Sequence, residues 1–188
     1  MELVRDVGIA APERRLDAWP HELSGGMCQR VMIAQAIACG PKLLLTDEPT
    51  TALDVTVQAQ ILELIRAVCR ERGMAVLLIS HDLGVVAGQA DRVAVMYAGR
   101  IVELADTGTL FAVPAHPYTQ ALMAAIPALG EGWGEALPTI PGSVRDAGPS
   151  GGCRFAPRCP RAAEVCAVEP PLLNVSPGHV AACWKVAA

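Results

Sequence analysis

Apolar residues along the first two thirds of the chain fall into short blocks whose period changes from one block to the next. Met1 to Gly8 has the make-up of a helix end, and a loop follows through Pro12 and Pro20. Ser24 can then cap a helix running to about Cys39. Gly40-Pro41 stops it, because glycine accepts the left-handed turn after a helix and proline cannot continue one. Leu43-Leu44-Leu45 is a continuous apolar run, as expected of a buried parallel strand. From Asp54, apolar side chains recur at Val57, Ile61, Leu64, Ile65 and Val68, the 3.6-residue period of an amphipathic helix. Arg70 and Arg72 suit the negative end of that helix, and Gly73 ends it. Met74 to Ile79 predicts a second buried strand. Asp91 to Tyr97 and Arg100 to Leu104, joined by Ala98-Gly99, predict a hairpin. Short helices are expected at Gly108–Ala112 and Tyr118–Ala125.

Alternating helices and apolar strands predict an α/β fold. The pattern breaks near residue 126. Beyond it come Pro127, Gly130, Gly132, Gly134, Pro138, Pro141, Gly142, Gly148, Pro149, Gly151 and Gly152, which predict a linker into a small cysteine-bearing appendage. The 188 residues suffice for a core, and 52% hydrophobic against 18% charged residues excludes global disorder. A net charge of -4 and an aromatic fraction of 4% argue against a nucleic-acid partner. No apolar run reaches membrane-spanning length, and the first residues lack a signal-peptide core, so a cytosolic chain is expected.

Four short segments carry candidate chemistry. In Leu23-Ser24-Gly25-Gly26-Met27, two glycines at a helix start expose backbone N–H groups and allow close approach by an anion, and Ser24 adds a hydroxyl. The same five residues also make an ordinary serine cap. In Leu43 to Pro49, an apolar strand ends in Asp47 and Glu48: one carboxylate can hold Mg²⁺ and the next can polarise water, or both can simply be solvated. Asp54, in Thr51-Ala52-Leu53-Asp54, can cap the next helix. His81 follows the second strand, at the end where α/β sheets take ligands, although a lone histidine there can equally be structural.

In this order on these elements, the four segments resemble the C-terminal half of an ABC-type ATPase domain. Leu23 to Met27 matches the signature loop, with Met27 where glutamine is commonest. Leu43 to Asp47 matches Walker B and Glu48 the catalytic carboxylate. Ala52-Leu53-Asp54 matches the D-loop and His81 the switch histidine. Met27 to Ala34, Thr50 to Thr56, Val95 to Gly99 and His116-Pro117-Tyr118-Thr119 are similar to the oligopeptide/dipeptide importer subfamily, the dipeptide-type subunit above all, with Cys28 a mild departure. The resemblance implies a partial P-loop NTPase domain over residues 1–105 and a small irregular cysteine-containing extension over 106–188. It implies a head-to-tail dimer with a second ATPase subunit. Ser24, Gly25 and Gly26 would contact the γ-phosphate of ATP held by that partner. Asp47 would position Mg²⁺, Glu48 would polarise water and His81 would contact the γ-phosphate. Asp54 would signal across the interface, and Gln29 and Arg30 would buttress the signature helix. Two integral membrane permeases and, indirectly, an extracytoplasmic solute-binding protein are the implied partners, at the cytoplasmic face of the membrane. Peptides are the expected solute, with nickel and other small solutes open. An ATPase of DNA repair or translation fits less well, given the negative charge, the His116–Thr119 segment and the lack of coiled-coil heptads.

No G-x-x-x-x-G-K-[ST] occurs, and Gly40-Pro41-Lys42 cannot replace it. The phosphate loop, base-stacking aromatic and Q-loop are therefore expected upstream of Met1. The chain reads as the C-terminal portion of a longer subunit, through an internal start, a split gene or a truncation, and by itself should not turn over ATP. The alternative is a non-catalytic metal-binding remnant that docks on a full-length ATPase. The tail bears Cys153-x5-Cys159-x6-Cys166-x16-Cys183, which lacks the close pairs zinc favours. Wider spacing with Pro160 after Cys159 suits a [4Fe–4S] cluster, which the resemblance also implies; Zn²⁺, reduced thiols and an adventitious disulfide are the alternatives. His179 reads as a surface-loop histidine or a substitute ligand. Cys28, Cys39 and Cys69 read as structural thiols.

Overall fold

A computed structural model describes residues 2–126, 138–148 and 151–186. The linker residues Pro127, Gly130, Gly132 and Gly134, and Pro149, lie outside the described residues. The chain divides into two compact units, Met1–Gln89 and Ala90–Ala188, so the predicted hairpin belongs with the cysteine tail.

In the first unit, helices α1 (Glu2–Asp6), α2 (Pro12–Arg15), α3 (Gly25–Ile37), α4 (Val55–Glu71) and α5 (Leu83–Gln89) accompany strands β1 (Leu43–Asp47) and β2 (Ala75–Ile79). Two predicted caps form. Ser24 Oγ accepts from the Met27 N–H and Asp54 Oδ1 from the Val57 N–H, each satisfying a donor the helix start leaves free. Helix α4 brings Ile61, Ile65 and Val68 into a core with Ile33 and Ile37 of α3, Val7, Ile9 and Leu44. Arg30 Nη1 donates to the Val7 carbonyl at 2.7 Å and ties α3 to the turn after α1, the buttressing expected of it. The strands pair in parallel, Leu43 with Ala75 through Asp47 with Ile79.

The expectation of strands buried on both faces is not met. Leu44 is buried, but its neighbours Leu43 and Leu45 are exposed, Leu45 at 65%, and so are Leu77 at 54% and Ile79. Of the two strands only Leu44 enters the core with the helices, and no residue of β2 is buried.

The second unit opens with β3 (Arg92–Tyr97) and β4 (Arg100–Asp106), the predicted hairpin, with Ala98 at φ 47 and Gly99 at φ 77 in its turn. Two left-handed residues in succession give the hairpin turn whose twist matches its strands. Helices α6 (Thr107–Ala112) and α7 (Pro117–Ala124) follow. The tail adds β5 (Leu173–Ser176) and β6 (His179–Ala181), giving an antiparallel sheet in the order β3-β4-β6-β5. Tyr97, Tyr118 and the fully buried Phe155 pack ring on ring, with centroids 4.7 to 5.5 Å apart.

His179 is therefore no surface-loop residue. It lies on β6, 2% exposed, with Nε2 2.7 Å from Oε1 of Glu103, itself 0% exposed. The Glu103 carboxylate also accepts the N–H groups of Ala115 and His116 ahead of α7. A buried carboxylate is tolerable only with such a complete partner set. His116 is buried as well. Burial pushes its imidazole down to about 4, against the opposing pull of Glu103, so the ring is neutral near pH 7; its Nδ1 accepts from the Tyr118 N–H and caps α7.

Candidate functional site

The two parallel strands end side by side, and their C-terminal ends present the predicted site. Asp47 is the last residue of β1, exposed, and pairs in register with Ile79. Glu48 leaves the strand at φ 46, a left-handed conformation uncommon for a residue with a Cβ. Its N–H donates to the Ile79 carbonyl at 2.9 Å, so the bend is anchored to the neighbouring strand. The bend brings Glu48 Oε1 within 2.7 Å of His81 Nδ1. Glu48 Oε2 accepts the Thr51 hydroxyl at 3.0 Å. Hydrogen bonds from His81 and then Thr51 hold the Glu48 carboxyl below its ordinary range. The same contact, and then the charges of Glu48 and Asp82, push His81 above its ordinary value of 6.5. The next residue, Asp82, anchors the backbone beside His81: its Oδ1 accepts from the Gly84 and Val85 N–H groups at the start of α5, and its Oδ2 accepts from Gln58 Nε2 of α4.

Ser24, Gly25 and Gly26 stand elsewhere, at the start of α3. A Cβ built on Gly26 would lie 2.8 Å from Val57 Cγ1, and one on Gly25 would lie 3.5 Å from Leu53 Cδ2. Gly26 is thus required by the close approach of the first turn of α4. Asp54 is exposed, with one carboxylate oxygen engaged as the α4 cap. The structure brings Glu48 to His81, and Gly25 and Gly26 to the segment after Ala52. Sequence reasoning missed Thr51, whose role was visible only as a hydroxyl three residues from the carboxylate.

Cys153, Cys159, Cys166 and Cys183 all line one cavity of about 10 Å³, with Arg161 and Lys185 among its walls. Such a space has room for about one water molecule. Burial, as the leading cause, pushes the Cys153 and Cys159 thiols up, and neighbouring thiols add to it. Both therefore stay protonated at neutral pH. Among the described residues no group of three or more His, Cys, Asp or Glu side chains stands where it could hold a metal ion. The tail brings the four cysteines to one cavity, but nothing in their arrangement supports the expected [4Fe–4S] cluster or zinc site. Of the other thiols, Cys69 is buried as expected, whereas Cys39 is exposed beyond the end of α3.

Residues 1–51 match the family described as ABC transporter, and residues 102–166 match the oligopeptide/dipeptide transporter C-terminal region. A probable peptide ABC transporter ATP-binding protein of Sinorhizobium fredii is 57% identical over 98% of this chain and 56% of its own length. The dipeptide transport ATP-binding protein DppD of Escherichia coli is 52% identical over 93% of this chain and 54% of its own. The oligopeptide transport ATP-binding protein AppD of Bacillus subtilis is 51% identical over 98% of this chain and 56% of its own. The chain spans about half the length of these curated relatives.

Proposed function

Because the chain belongs to the ATP-binding proteins of the oligopeptide/dipeptide ABC transporters, we propose that it supplies the Walker B, signature, D-loop and switch-histidine parts of an ATPase that couples ATP hydrolysis to peptide uptake. The observation that carries this is the Glu48–His81 contact at the ends of two parallel strands. Glu48, kept ionised, can accept a proton from water as that water attacks phosphorus. With Nδ1 turned to Glu48, the other ring nitrogen of His81 is left for the γ-phosphate. It can donate there when the ring is protonated, and the raised proton affinity of His81 favours that form. Asp47 is the carboxylate that would hold the Mg²⁺ accompanying ATP. The hydroxyl ligand of the phosphate loop is not in this sequence.

Ser24, Gly25 and Gly26 act on ATP held by a second ATPase subunit, and the exposed start of α3 supports that use. Two integral permeases and, indirectly, a solute-binding protein complete the assembly at the cytoplasmic face of the membrane. The test is hydrolysis by the 188-residue chain alone and mixed with an ATP-binding subunit of the same branch that carries an intact phosphate loop. Alone, no turnover is expected. In the mixture, stimulated turnover is expected, to be lost on Ser24→Arg; Glu48→Gln leaves it, because the ATP hydrolysed there lies on the partner's phosphate loop beside the partner's own acid pair, and Glu48 acts only where its own chain carries that loop. Robust hydrolysis by the chain alone overturns this division of labour.

A second reading, favoured by the four cysteines lining one cavity, is a non-catalytic remnant that docks on a full-length ATPase and takes up a [4Fe–4S] cluster or Zn²⁺. Broad visible absorbance after anaerobic reconstitution, lost on Cys159→Ser, supports the cluster; a colourless protein with stoichiometric zinc supports zinc.

A further inference from the structure

The Glu48 carboxylate divides its two oxygens between two partners. Oε1 faces His81 Nδ1 at 2.7 Å, and Oε2 accepts the Thr51 hydroxyl at 3.0 Å. The turn that carries Thr51 closes on the same residue, because the Thr51 N–H donates to the Glu48 carbonyl at 3.2 Å. Thr51 therefore grips Glu48 by both its main chain and its side chain. A glutamate side chain turns about several bonds, and this one is exposed to water that competes for its oxygens. Threonine is stiff at its first side-chain bond, so its hydroxyl is a well-placed anchor.

We infer that Thr51 is a positioning residue, whose hydroxyl holds the Glu48 carboxylate in the orientation that meets His81. The consequence falls on the histidine. A carboxylate can only accept, so the neutral His81 ring carries its proton on Nδ1 and leaves Nε2 bare. An unconstrained histidine in water favours the opposite arrangement, with the proton on Nε2. If Thr51 lets go, Glu48 rotates into solvent and the His81 proton moves to Nε2. As a role in hydrolysis this rests on the ATPase function proposed above; as a role in orienting Glu48 it does not.

The experiment is nitrogen NMR of the His81 ring in the nucleotide-free 188-residue chain, at a pH where the ring is neutral. Unsubstituted chain, Thr51→Val and Thr51→Ser are compared. The unsubstituted chain should show the Nδ1–H form, Thr51→Val should switch to the Nε2–H form, and Thr51→Ser, which restores the hydroxyl, should keep Nδ1–H. An Nδ1–H signature retained in Thr51→Val overturns the inference. So does its loss in Thr51→Ser, since the methyl and not the hydroxyl would then matter. Thr51 is exposed, and circular dichroism checks that α4 persists; should Thr51→Val lose it, Thr51→Ala removes the same hydroxyl with less bulk. Because no nucleotide is present, failure of the ATPase proposal leaves this outcome unchanged, and an unchanged tautomer beside stimulated hydrolysis sinks this inference alone.

Discussion

His81 and Glu48 stand 2.7 Å apart at the ends of neighbouring strands, and each changes the other's hold on its proton. His81 is raised, so its share of the pairing is fully present below 6.5 and is lost as pH climbs through its higher folded value. Glu48 is lowered, so its share is present above 4.5 and is lost as pH falls through its depressed folded value. The pair is complete between those two ordinary values. Glu48→Gln should bring the His81 midpoint down toward 6.5, with Asp82 sustaining part of the shift, as followed by proton NMR of the ring. A midpoint that does not move would assign the shift elsewhere. At Gly26 the constraint is steric. Gly26→Ala puts a methyl 2.8 Å from Val57 Cγ1. Overpacking of this kind costs about 1–3 kcal/mol. Urea denaturation should read that loss, and Val57→Ala in the same chain should recover part of it. That Ser24 and Asp54 cap helices and that Asp47, Glu48 and His81 stand at the ends of strands was legible in the sequence, because these placements are local properties. The Glu48–His81 contact was not, because it joins residues 33 apart.

At the scale of elements, α3 and α4 were legible nearly to their ends, since Ser24 and Asp54 are caps and caps are read within four residues. Helices α2 and α5 were not foreseen. Four residues starting at a proline leave little periodicity to detect, and Leu83–Gln89 is too short for two full faces. The tail strands β5 and β6 were also missed. They have three to four residues each and gain their definition from pairing, β6 with β4 through Glu103 with Ala181 and Leu104 with Val180, and β5 with β6. Glu103 secures that union by accepting from β6 and from the entrance to α7. Glu103→Ala should strand His179 and two backbone N–H groups. Each buried donor left without a partner costs about 1–3 kcal/mol. The loss should appear as early proteolysis within residues 173–186 while α4 stays folded; tail protection equal to that of the unsubstituted chain would show that the sheet does not depend on the carboxylate.

Across the whole molecule, each unit keeps its own core, and the β1–β2 pair is the place where pattern and environment disagree. An unbroken apolar run predicts burial on both faces, yet Leu43, Leu45, Leu77 and Ile79 are exposed. Exposed apolar patches of this sort promote association. The isolated chain should therefore bind a hydrophobic dye and self-associate as concentration rises, and Leu45→Lys with Leu77→Lys should reduce both, as read by sedimentation. Leu44→Ala should instead weaken the core by about 2–5 kcal/mol without changing association. Equal association in the double lysine variant would mean that this face is not what self-associates.

The sequence by itself determined the local features: helix periods, caps, the hairpin turn at Ala98-Gly99, and the order of the Ser24-Gly25-Gly26 segment, the acid pair, the Asp54 segment and His81. These depend on residues a few positions apart, and their energies act before any long loop closes. Only the tertiary structure decided the long-range pairings. Glu48 meets His81, His179 leaves the presumed surface to join Glu103 76 residues away, and four cysteines spread over thirty-one positions share one wall. Such contacts form when distant segments pay the entropy of closing a loop and recover it by burial and pairing, and no stretch of sequence records that balance.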